Sequence, residues 1–211
     1  MKLTSQSFQD GQWIPGEFAF CIPDPVSHVA LSNNRNPHLA WSDVPAGTQS
    51  FVVVCHDPDV PSRGDDVNQA DREVPADLPR VDFFHWLLLD IPATTTEIAA
   101  GEYSNTVTPR GKAGPAVGNG LRHGINDYTG WFAGDEQMKG DYFGYDGPCP
   151  PWNDSIVHHY VFTVYALGVS ALAVEGTLTG ATVLAALANA PVLGQAKITG
   201  LYSLNPRVIA G

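Results

Sequence analysis

The chain has 211 residues, enough for one domain with a full core, and a formal net charge of −11. Its 11 Lys and Arg are scattered, which excludes broad contact with nucleic-acid backbone or anionic membrane, since both need clustered cations. No run of about 18 apolar residues reads as a membrane span, and Met1 to Phe8 lack the apolar stretch of a signal peptide.

A single cytoplasmic domain over residues 1–211 is therefore the expectation. The three cysteines, Cys21, Cys55 and Cys149, form no CxxC pair. An odd count suits a disulfide framework poorly, so all three are expected to be reduced.

From Phe8 to Asn36 the text is rich in turn residues, and only Glu17 to Ile22 reads as a strand. Asn36 to Trp41 and Asp43 to Gly47 read as strand and turn, and Gln49 to Cys55 as a strong buried strand that runs into His56-Asp57-Pro58-Asp59-Val60-Pro61. Between Asp57 and Asp82 eight acids face three arginines, a net of −5. With no apolar periodicity, residues 62–82 are expected to form a solvated loop.

Phe83 to Ile91 is the next strand. Strict alternation there places His85 on one face with Leu87, Leu89 and Ile91. Gly101 to Tyr142 holds nine of the 21 glycines and predicts a long loop region with at most a short strand. Thr179 to Ala190 is the one convincing helix, with Thr179 as N-cap and Pro191 beyond its end. Ala196 to Leu204 closes the chain as a strand.

The richest stretch is Tyr145 to Leu167. Pro148, Pro150 and Pro151 stiffen a loop that leads directly into a β-branched and aromatic strand opening with His158 and His159. Gly147 is read as a position where backbone approaches a ligand. Alternation groups His158 with Tyr160, Phe162 and Val164, and His159 with Val157, Val161 and Thr163. The two histidines therefore cannot share one small pocket, which argues against a two-ligand metal clamp.

Four pieces in order, Asn36-Pro37-His38-Leu39-Ala40-Trp41, Asp57-Pro58-Asp59-Val60-Pro61, His85 to Pro92, and Gly147-Pro148-Cys149-Pro150-Pro151 with His158-His159-Tyr160, carry a likeness. With Ile198 to Tyr202 near the end, the chain resembles the phosphatidylethanolamine-binding protein family, also called Raf kinase inhibitor-like, in its bacterial branch. The resemblance implies a mainly β fold: an antiparallel sandwich with long loops and one C-terminal helix. It also implies a small-anion pocket of Asp57, His85, Gly147, His158 and Tyr160, and a cis peptide at Val60-Pro61. The acidic loop and the segment 129–140 depart from the family pattern beside the expected pocket.

Asp57 is expected to help charge His85 or His158, so that imidazolium, the Gly147 amide and the Tyr160 hydroxyl donate to an oxyanion. Asp59 is expected to tie down its own turn, and Cys149 to pack the loop. His28, His38, His56 and His123 have no constellation around them. The leading function is binding of a small anionic or phosphorylated ligand without cofactor or metal, in a chain that could pair as a homodimer. Two alternatives are a hydrolase or zinc enzyme built on Asp57, Asp59, His85 and His158, and an interaction protein whose acidic loop docks a basic partner.

Overall fold

The computed structural model describes residues 1–210. In chain order the strands are β1 (Lys2–Thr4), β2 (Cys21–Asp24), β3 (His28–Leu31), β4 (Leu39–Ser42), β5 (Ser50–Pro61) and β6 (Arg80–Pro92). They continue with β7 (Glu97–Ile98), β8 (Ala116–Gly118), β9 (Leu121–His123), β10 (His158–Leu167) and β11 (Val192–Tyr202). Among the described residues α-helix is confined to α2 (Gly180–Asn189) and two single turns, α1 (Tyr128–Trp131) and α3 (Pro206–Ile209).

A six-stranded antiparallel sheet, in the order β11-β10-β5-β6-β9-β8, is the centre of the molecule. The β-branched and aromatic text of β5, β6 and β10 supplies both of its faces. On one face Phe51, Val53, Trp86, Phe162 and Val164 pack with Leu3, Leu39, Trp41 and Ile98 of the three-stranded sheet β1-β4-β7, so the fold is the expected sandwich. On the other, Val52, Val54, Leu87 and Leu89 receive Val183 and Leu187 of α2. Thr179 caps α2, accepting from the Thr182 amide while the Thr182 hydroxyl accepts from the Thr179 amide. Among the described residues no helix is long and apolar enough to cross a membrane.

Several expectations need correction. Glu17 to Ile22 is not a strand: Gly16–Phe18 is a 3-10 turn, and β2 starts only at Cys21, where the Phe20 and Cys21 amides donate to the Pro148 carbonyl. That pair of bonds brings Cys21 to Cys149, and the two form a disulfide instead of staying reduced. The odd count hid one bridge plus one free thiol, Cys55, buried on β5.

Val60-Pro61 is not cis; the cis peptide among the described residues is Gly114-Pro115. Val60 and Pro61 continue β5 in register with Val81 and Arg80, an extended geometry that a trans bond serves.

Strict alternation also fails on β6. Cys55 pairs with Trp86 but His56 pairs with Phe84, so His85 is an extra, bulged residue. A second irregularity, between Phe51 and Val53, spans Leu89 and Asp90, whose φ is 65°. The first bulge turns His85 to the same side as Trp86, against Tyr160, rather than toward Leu87 and Leu89; the second moves Ile91 to that side too.

Candidate functional site

Two buried histidines occupy one wall of a cavity of about 680 Å³, one at the start of β10 and one on the β6 bulge. At the first corner, His158 Nδ1 lies 2.6 Å from Asp57 Oδ2 and Nε2 lies 3.0 Å from Asp154 Oδ2. Arg80 then forks onto Asp154, with Nη1 2.6 Å from Oδ2 and Nη2 3.1 Å from Oδ1. Two ionised carboxylates on the two ring nitrogens require both nitrogens to donate, so His158 is an imidazolium. Burial alone lowers its pKa, but the bonds to Asp154 and Asp57 outweigh burial and hold it at about 9. Burial likewise raises Asp154, yet His158 and Arg80 bring it below the usual carboxylate range. The four charges sum to zero, and His158 has no donor left.

The second corner is the opposite. His85 Nδ1 donates to the Asp146 carbonyl at 2.7 Å, and Nε2, facing the cavity, bonds to no described residue. The ring sits among Phe83, Tyr160 and Tyr128, with centroids 4.9, 5.0 and 5.6 Å away. Burial there drives its pKa down to about 4, and the Asp57 charge opposes that only in part. His85 is therefore neutral at pH 7, with its lone pair on Nε2. The hydroxyl of neighbouring Tyr160 has no protein partner either, and burial holds it protonated.

A buried polar group stands behind His85. The Asp146 carboxylate accepts from Asn34 at 2.7 Å, Asn126 at 2.8 Å and Lys112 at 2.9 Å, while the Asp146 amide donates to the His85 carbonyl at 3.0 Å. Burial raises Asp146 and lowers Lys112, each partly offset by the other's charge.

Of the five expected residues, Asp57, His85, His158 and Tyr160 line the cavity together. The Gly147 amide instead donates to Asn34 Oδ1 at 2.8 Å, and its carbonyl accepts from Tyr128. Its missing side chain makes room for the Phe18 carbonyl, where a Cβ would collide, rather than for a ligand.

Asp57 keeps its expected part beside His158 and takes the one expected of Asp59 as well. Asp57 ties the turn by accepting from the Asp59 amide at 2.8 Å, while Asp59 accepts from His159 Nδ1 and its amide, at 2.8 and 2.9 Å. His159 is exposed and away from the cavity, so Asp59 does not converge with His85 and His158 as a zinc site needs. His38 pairs with Glu97, His56 lies by Asp82, His28 stacks on Trp152 and His123 meets Trp86.

Asp154 and Arg80 were not among the expected residues. Asp154 carried a readable signal, four residues ahead of His158 in the stiff loop; Arg80 did not, because it looked like one of three arginines in an acidic segment. That segment is also less free than expected. The Asn153 side chain donates to the carbonyls of Asp66, Gln69 and Arg72 and accepts from the Asn68 amide, fastening the loop to the cavity rim.

The sequence model of the family described as phosphatidylethanolamine-binding protein matches residues 4–203. YbhB of Escherichia coli is 31% identical over 183 residues, 87% of this chain and 88% of YbhB. YbcL of the same organism is 32% identical over 81% of this chain and 73% of YbcL. The YbcL crystal structure, described as a new member of the mammalian PEBP family, superposes with a TM-score of 0.67 at 28% identity, covering 96% of this chain and 97% of that one. A Chlamydia trachomatis homologue, CT736, gives 0.61 at 25% identity over 96% of both chains.

Proposed function

The chain belongs to the phosphatidylethanolamine-binding protein family, and on that premise we propose that it binds small anions, carboxylates or phosphate monoesters, at the inner end of the cavity. One observation carries the reading: His85 Nε2 and the Tyr160 hydroxyl, on buried rings whose centroids lie 5.0 Å apart, both lack protein partners in the cavity lining. An oxyanion needs donors, and Tyr160 is one already. Neutral His85 becomes the second by taking up a proton, which adds a charge-assisted bond. The adjoining corner does not repel the anion, because Asp57 and Asp154 are balanced by His158 and Arg80.

One proton is then bound with each anion. Between the free-site pKa of about 4 and the raised value of the complex, affinity falls about tenfold per pH unit. Acetate is the clean probe, since a phosphate monoester itself loses a proton near pH ~6. Titration by NMR from pH 5.5 to 8.5 should show this slope in the native chain and none in His85→Ala. Flat affinity in the native chain, or a slope that survives the substitution, overturns the assignment.

A further inference from the structure

We infer that the ligand is an amphiphilic acid: a single acidic head at His85 and Tyr160, and an uncharged apolar body held inside the cavity. The inference rests on the anion site proposed above and goes beyond it by naming the ligand class. A volume of about 680 Å³ is that of pockets enclosing a whole drug-sized molecule, far more than acetate or phosphate occupies.

Titratable groups in the cavity are few. Asp57, His85 and His158 are all buried, whereas Val29, Leu31, Phe132, Met138 and Trp152 form much of the rest of the lining. Arg63, beside Asp65 on the surface, is the one Lys or Arg among the lining residues. A ligand charged along its length would set desolvated charges against those apolar walls. At the mouth Leu31 is 58% and Trp131 55% exposed. Large apolar groups gathered around a cleft mark a surface that a ligand covers.

The walls are also fixed in advance. β2 and β3 form a two-stranded sheet separate from the other two. It is fastened across to the Gly-Pro loop by the Cys21–Cys149 bond and by His28 stacked on Trp152 at 3.9 Å. Preorganised walls let apolar burial appear as affinity instead of being spent on ordering loops. A diacyl lipid would place its headgroup inside and leave its tails out; a single-chain or single-aryl acid fits whole.

The test is calorimetry at pH 6.0 with straight-chain carboxylates from acetate to decanoate, with benzoate and 2-naphthoate, and with phosphatidylethanolamine vesicles. Affinity should rise roughly fourfold per buried methylene and then level off at the chain length the cavity holds. Met138→Trp, filling part of the wall, should move that plateau to shorter chains. The alkyl and aryl arms distinguish the two sources of an apolar body, and a rise in either supports the inference. Acetate binding that depends on His85 without any gain along both series overturns the amphiphile and leaves the anion site standing. A gain with chain length that ignores His85→Ala overturns the acidic head, and with it the anion site. Binding to vesicles alone overturns containment.

Discussion

The His158 corner and the His85 corner lie in one cavity wall and are both buried, yet they titrate in opposite directions, to about 9 and about 4. Burial is the same in kind at both; what differs is the hydrogen-bond partners. His158 meets two carboxylates, which stabilise its cation more than burial penalises it. His85 meets one carbonyl and three aromatic rings, which do not. In the charged corner both ring nitrogens of the histidine are already bonded to carboxylates, whereas the uncharged corner keeps a free ring nitrogen. On the proposed function, the anion's donor is then the histidine that is neutral in the free chain.

The strongest way to break this comparison is to remove the carboxylate that makes the first corner neutral. Asp154→Ala leaves Arg80 and His158 buried without their shared partner, and losing one member of a buried ion pair costs about 3–5 kcal/mol. Urea denaturation should show that loss at pH 7. If the variant is within 1 kcal/mol of the native chain, by the order of a surface pair, the corner is not the tight cluster described.

The next effect is in pH. His158 has a folded pKa of about 9 against 6.5 for a free imidazole side chain, so its contribution is fully present below pH 6.5 and is lost as pH rises through 9. His85 is shifted the other way, to about 4 from 6.5. The fold is then unpenalised above pH 6.5 and loses stability as pH falls toward 4. Each limb spans about 2.5 pH units of displacement, on the order of 3 kcal/mol. Stability should therefore peak near neutrality, with His158→Gln flattening the alkaline limb and His85→Gln the acid one. If either substitution alters the other's limb instead, the two corners are exchanged or coupled.

The sandwich was legible because β5 and β10 are long β-branched and aromatic runs and β6 is a run of aromatics and leucines, and α2 was legible because alanine-rich text with a threonine cap occurs once. His158 and Tyr160 were legible as a pair because β10 keeps its alternation over the residues that matter. His85 was placed on the wrong face because one inserted residue inverts every side chain beyond it, and nothing in Phe83-Phe84-His85-Trp86 announces a bulge.

Long-range partners were out of reach for another reason. Arg80 meets Asp154 across 74 residues, and Asn34 meets Asp146 across 112. Cys21 meets Cys149 across 128. A pattern confined to one strand carries no information about such distances. Gly147 shows the converse: its position in the motif was right, but its smallness serves the Phe18 carbonyl.

The smallest effect sharpens the comparison most, because it separates the two free groups of the second corner. Tyr160→Phe removes one hydroxyl and leaves the ring that packs on His85 and Tyr202. In the free protein that hydroxyl has no protein partner, so its loss strands nothing and stability should change by less than ~1 kcal/mol. In the proposed complex it is one of two donors to the anion, and losing one bond to a charged acceptor costs about 1.5–3 kcal/mol, or roughly 10- to 150-fold in affinity. The slope of acetate affinity against pH belongs to His85 and should be unchanged. A variant with lower affinity, the native slope and native stability is the expected result, read by the same NMR titration together with a denaturation curve. Native affinity in Tyr160→Phe would mean that the anion sits elsewhere in the cavity, and a lost slope would mean that Tyr160, not His85, sets the proton uptake.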